Sequence, residues 1–193
     1  KPYTISYTQE QAGFKVDTQE HILYVDMNES TYAMCNKLTK DLVIEGKNED
    51  ILGDTPVKLM QKLHQMYSGT VKFESGKSMV LDYTKANFIR DSFEGQKTTE
   101  LPEFETTPKS IALQIVSGRE GISLRQASAL VYYNIDFSAT SYWQSRDRMT
   151  TKDRLKSDVY WVFSKGGIED KIYKAVVKKK AYTVTHFKKD HEL

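Results

Sequence analysis

The sequence has little of what announces chemistry on its own. Cys35 is its only cysteine, so no intramolecular disulfide can form, and the usage fits a reducing compartment. Its four histidines, His21, His64, His186 and His191, are scattered without ligand spacing, so no metal site is expected. Neither a paired-carboxylate nor a Ser–His–Asp arrangement stands out. No apolar run approaches the ~20 residues that span a bilayer. The opening segment KPYTISYTQEQ lacks the apolar core of a signal peptide. The expectation is an intracellular, soluble, cytoplasmic protein with no membrane partner. A net charge of +2 excludes a globally basic nucleic-acid binder, so any such contact must come from a local patch.

What is present is an ordinary globular composition, 39% hydrophobic and 28% charged over 193 residues with 12 tyrosines. That length suits one domain or one lobe of a larger machine. Residues 1–109 read as a helical and hairpin region leading into the lobe, and residues 110–193 as its core, the whole being one structural unit. His21 to Met27 alternates as a strand. Asn28 or Ser30 caps a helix through Leu38, Leu42 and Val43 that ends near Gly46. The segment KNEDILGDT reads as a polar loop. Thr55 with Pro56 starts a second helix, whose apolar face is Val57, Met60, Leu63, His64 and Tyr67. Residues 70–81 form a hairpin around Ser75-Gly76-Lys77. Asp82 or Thr84 caps a third helix, closed by Gly95.

From Ser110 the texture changes. Ile111 to Val116 and Leu130 to Ile135 are apolar runs of the kind that form buried parallel strands. Asp158 to Phe163 is a third. A short helix (Leu124 to Ala129), a second (Thr140 to Met149) and a last (Ile168 to about Lys180) alternate with them, and a basic tail carries Lys178 to Lys180, Lys188 and Lys189, with His186 and His191. The fold class is therefore α/β, with a central, mainly parallel sheet flanked by helices.

Two segments carry candidate chemistry. Ser117-Gly118-Arg119-Glu120-Gly121-Ile122-Ser123-Leu124 follows a buried strand and opens a helix, where glycines let a backbone approach phosphate and free N–H groups face an anion. On the next helix Gln144 and Arg148 are four apart and share a face, with Asp147 within reach of it. Arginine beside glutamine at a lobe edge suits a γ-phosphate. By contrast, Gly76-Lys77-Ser78 only mimics a phosphate loop: the leading glycine would fall at Val71, and the motif sits at a hairpin turn.

Read in register, the two segments resemble the C-terminal RecA-like (P-loop-NTPase-type) lobe of Swi/Snf-type, superfamily-two DNA helicases. Gly118, Gly121, Ile122, Leu124 and Ala127 match the family's motif V pattern, G-G-x-G-I-N-L…A. Tyr133-Asn134-Ile135-Asp136-Phe137-Ser138-Ala139 occupies the place of Y-D-x-D-W-N-P. Gln144-Ser145-Arg146-Asp147-Arg148 matches motif VI, Q-A-x-D-R, without a gap from Asp136. The resemblance implies that Arg148 is an arginine finger at the γ-phosphate, with Arg146 as the second catalytic candidate. It also implies that Gln144, Gly121 and Asp147 serve ATP, and that Ser117, Gly118, Arg119 and Ser123 meet the DNA backbone. The expected partners are double-stranded DNA and an N-terminal RecA-like lobe. That lobe carries the phosphate loop and the Asp-Glu pair, so ATP and Mg²⁺ would be bound mainly by it, and this chain alone would be inactive.

Two departures qualify the match. The family's second motif VI arginine falls at Thr151, which leaves open a non-catalytic DNA-binding lobe as the alternative. Its motif IV strand has no counterpart between Gln96 and Lys109, as though residues were omitted there. A nucleotide kinase or other NTPase built on Gly76-Lys77-Ser78 is the third possibility.

Overall fold

A computed structural model describes residues 17–46, 49–93, 129–146 and 156–191 of the chain. At its centre lies a three-stranded parallel sheet in the order β1 (Asp17–Val25), β7 (Lys156–Ser164), β6 (Ala129–Tyr132). The middle strand is covered on both faces, and Val159, Trp161, Val162 and Phe163 are each 0% exposed. That explains why its sequence is a continuous apolar run and not an alternating one. The fold class expected from the sequence holds at this level: an α/β structure with a parallel sheet flanked by helices.

The two faces of the sheet have different covers. On one, Tyr142 of α4 (Ala139–Arg146) stacks on Trp161 at 5.2 Å, and Trp161 stacks on Tyr132 of the neighbouring strand at 3.9 Å. Helix α5 (Glu169–Val176) joins that face, its Tyr173 lying 5.7 Å from Phe163. On the other, His21 stacks on Tyr160 and Phe93 of α3 (Thr84–Phe93) meets the same ring edge-on. Aromatic pairs of this kind contribute about 0.5–1.5 kcal/mol each beyond their burial.

Between β1 and α3 the largest departure from expectation is at the end of the first helix. Helix α1 (Glu29–Asp41) stops at Leu42, which adopts the left-handed conformation at φ 61°. Val43–Ile44 then forms β2, antiparallel to β3 (Ile51–Leu52). The helix expected to reach Gly46 is therefore shorter, and the expected polar loop contains a strand. The β-branched pair Val43-Ile44 fits a pleated strand better than a last helical turn.

Helix α2 (Pro56–Tyr67) starts as expected, with Thr55 Oγ1 accepting from the Lys58 N–H and Pro56 in the first turn. Its buried stripe is Leu59, Met60, Leu63 and Met66, while Val57 faces solvent. The hairpin of β4 (Thr70–Lys72) and β5 (Ser78–Val80) is also as read. Gly76, at φ +89°, makes its turn and no helix follows, which is not the setting of a phosphate loop.

The carboxyl-terminal region needs two corrections. Strand β6 ends at Tyr132, before the expected Ile135. Helix α5 ends at Val176 and not near Lys180, and the expected basic tail contains a further helix, α6 (Val184–Asp190). Phe187 is 0% exposed and anchors α6 in the core. One buried side chain in a short polar helix leaves almost no periodic trace in a sequence, so the lysines around it dominated the reading.

Candidate functional site

Of the residues assigned to ATP and DNA, only Gln144 and Arg146 are among those described. Ser117, Gly118, Arg119, Gly121, Ser123, Asp147 and Arg148 lie outside them, as does Thr151. Helix α4 opens where the Ser138 carbonyl accepts from Tyr142 N–H and its hydroxyl from Ser141 N–H. Gln144 is exposed on this helix. Arg146, at its end, turns back onto the body of the protein, with Nε 2.7 Å from Glu20 of β1. Its guanidinium also lies 4.7 Å from the centre of the Trp143 ring. Glu20 is a shared anchor, accepting from the phenols of Tyr142 at 2.8 Å and Tyr173 at 2.7 Å as well. Burial and the Glu20 carboxylate push the Tyr173 phenol up to about 12.

In open parallel sheets, ligands bind beyond the carboxyl ends of the strands. There the chain following β1, the segment around Asp82 and the β7–α5 turn come together. Asp82 accepts from Asn28 N–H and Nδ2, from the Thr31 hydroxyl and from Thr84 N–H, at 2.8–3.0 Å. Burial alone would raise its pKa, but these donors outweigh it and hold the carboxyl below its ordinary value. Gly69 makes this approach possible: at φ +80°, it would place a Cβ 2.3 Å from the Asp82 carbonyl.

Beside it, Lys85 Nζ of α3 lies 3.0 Å from Glu169 Oε1 at the start of α5, and both side chains are 0% exposed. Ser164 N–H points at the same oxygen, and the ammonium also faces the Tyr133 ring at 5.2 Å. Burial lowers the Lys85 pKa, against the opposing pull of Glu169. Glu169 Oε2 has no hydrogen-bond partner among the described residues. It lies against Gly167, where a Cβ would come within 2.2 Å of it. Burial lowers the His64 pKa, and its Nε2 bonds the Ile135 carbonyl at 2.8 Å. Cys35 is 1% exposed, and burial raises its thiol to about 12, so it is a packing group and not a nucleophile.

The chain matches no family model and no curated protein.

The geometry itself separates two kinds of polar cluster. The Lys85–Glu169 pair is closed to solvent, and the part-buried Asp82 bonds are spent on neighbouring backbone and side chains; both fasten the strand ends to the helices around them. An open recess of about 140 Å³ lies nearby, bordered by Asn36, Tyr67, Gly166, Gly167, Lys171 and His191. Lys171 spends its ammonium on the Asp190 carbonyl at 3.1 Å. Among the described residues no group of three or more His, Cys, Asp or Glu could hold a metal ion. None of their helices is long and apolar enough to cross a membrane.

Sequence reasoning did not single out Asp82 as an anchor, nor Glu20, Lys85 and Glu169 at all. Glu20 sits in a run of polar residues, and Lys85 and Glu169 sit at helix starts where charge is routine. The one usable signal was Gly166-Gly167, two residues before Glu169, a place where backbone must approach something closely.

Proposed function

We propose that this chain is the C-terminal RecA-like lobe of a cytoplasmic, DNA-stimulated ATPase of the Swi/Snf helicase and translocase type. The observation that carries the reading is the run from Asp136 to Arg148, in which motif VI follows its preceding strand without a gap and in the same register as Gly118 to Ala127. The order of elements agrees with it, since the motif VI residues Gln144 and Arg146 lie on a helix that connects two parallel strands, β6 and β7.

On this reading a partner lobe supplies the phosphate loop and Mg²⁺, and ATP binds between the lobes. Arg148 stabilises charge on the γ-phosphoryl group in the transition state, which an arginine finger does by about 10³–10⁵ in rate. Gln144 and Gly121 line the nucleotide side, with Asp147. Ser117, Gly118, Arg119 and Ser123 contact the phosphate backbone of double-stranded DNA. The test is DNA-stimulated ATP hydrolysis by the protein with both lobes, wild type against Arg148→Ala. A loss of at least about a thousandfold in kcat with DNA still bound is expected. Unchanged turnover would remove Arg148 from the role.

A second reading, a non-catalytic DNA-binding lobe, is favoured by one observation in particular. Thr151 stands where a second arginine is expected, and of the candidate substitutes Arg146, Lys152 and Arg154, the first is engaged by Glu20 and Trp143. A vigorous DNA-stimulated rate in the two-lobe protein would dispose of that reading.

A further inference from the structure

Helix α5 ends in a left-handed turn built from lysines. Lys179 N–H donates to the Val176 carbonyl and Lys180 N–H to that of Ala175, the paired bonds of a Schellman ending. The left-handed position belongs to Lys179, at φ 58°. Glycine takes that conformation without strain, so a cation here is an outlier of the kind that clusters at functional positions. Lys178, Lys179 and Lys180 are all exposed, and no carboxylate lies within ion-pair distance of them among the described residues. Lys179 Nζ reaches 5.4 Å from the Trp143 ring that Arg146 also contacts, so the turn adjoins the end of α4.

We infer that the Lys178–Lys180 turn, with the adjoining end of α4, is a contact surface for the phosphodiester backbone of double-stranded DNA. The choice of polymer rests on the ATPase reading above and extends its DNA contacts to a second place. Chemistry favours it over an acidic protein. Protein interfaces are depleted in lysine and rely on apolar anchors, whereas here, among the described residues, Val177, at 37%, is the only exposed large apolar side chain next to the turn. The Trp143 ring already carries two cations and offers no stacking platform for a base. What remains is closely spaced point charges, which suit a dense line of phosphates without reading sequence.

The experiment is binding of a short labelled duplex to the full chain between about 50 and 200 mM salt, where each lysine–phosphate contact contributes about 0.9 to the slope of log K against log salt. Replacing Lys178, Lys179 and Lys180 together by glutamine is expected to lower that slope by about 2–3. Lys37→Gln with Lys40→Gln, on α1, is expected to change it by much less. An unchanged slope in the triple variant would overturn the proposal, and so would an equal change in the α1 variant. Loss of polyglutamate binding with duplex binding intact would transfer the surface to an acidic protein and likewise overturn it. If the two-lobe protein shows no DNA-stimulated ATPase but the triple variant still loses its slope, the ATPase reading fails and this surface stands.

Discussion

Glu169 and Glu20 both bring a carboxylate to the same helix-covered sheet, and they are held in opposite ways. Glu169 is sealed at the carboxyl end of the strands, with Lys85 and Ser164 N–H on one oxygen and nothing described on the other. Glu20 lies under α4 and α5, 16% exposed, with two phenols and the Arg146 guanidinium shared between its oxygens. A sealed pair has one way to fail: lose either partner and a bare charge stays in the interior. A partly hydrated carboxylate with several donors fails by degrees. The first is a joint for the fold. The second also sets where Arg146 and Trp143 stand, and with them the edge that meets Lys179.

The largest effect should come from breaking the sealed pair. Lys85→Met strands the Glu169 charge and should cost about 3–5 kcal/mol in urea unfolding. The double variant Lys85→Met with Glu169→Leu should recover most of that loss, because both charges then leave the interior. If the single change cost under about 1 kcal/mol, Glu169 would have to reach water and the contrast with Glu20 would vanish.

A smaller effect is expected at Glu20. Glu20→Gln keeps the shape but weakens charge-assisted bonds, each worth roughly 1.5–3 kcal/mol, so a loss in that range is expected. The phenols give a second readout. Burial and Glu20 push the folded Tyr173 phenol up to about 12 from an ordinary value of 10.0. A raised folded pKa means that its contribution to stability is complete below pH 10 and is lost as pH climbs towards 12. In Glu20→Gln, ultraviolet titration should show Tyr173 moving down towards 10, though not all the way, because burial is the larger cause. An unmoved titration would mean that Glu20 does not face the phenol.

How much of this could be read from sequence follows from the same contrast. Periodicity and apolar runs located β7, α2, the hairpin and the second half of β1, which begins at Asp17 and ends at Val25 and not at His21 and Met27, because each is set by local pattern, by Pro56 or by Gly76. Pairing of β1 with β7 joins residues more than a hundred positions apart, and no local pattern specifies it. The buried charges failed for a related reason: a lysine in a helix looks solvated until a distant glutamate is brought to it, as Glu169 is to Lys85. On α4, spacing put Gln144 and Arg148 on one face, and the resemblance set Arg148 ahead of Arg146. What spacing could not supply was Glu20, which lies more than a hundred residues away and holds Arg146 down. Leu42 was unreadable in another sense, since leucine is a good helix former that here ends one.

Leu42 and Lys179 give the smallest and sharpest test. Both are left-handed, at φ 61° and 58°, and both stand where glycine would be at ease. Relief of about 1–2 kcal/mol of strain, set against about 0.5–1 kcal/mol of added chain entropy, predicts that either change to glycine stabilises the fold by about 0–1.5 kcal/mol. Thermal unfolding of Leu42→Gly and Lys179→Gly should show both gains, with Leu42→Gly reduced by whatever Leu42, 40% exposed, contributes to packing. The difference lies in binding. Duplex affinity should be untouched in Leu42→Gly and should fall in Lys179→Gly, with the salt slope reduced by about 0.9 for one lost phosphate contact. Strain kept at Lys179 would then be the counterpart of a charge the surface needs, whereas strain at Leu42 serves only to turn the chain from α1 into β2.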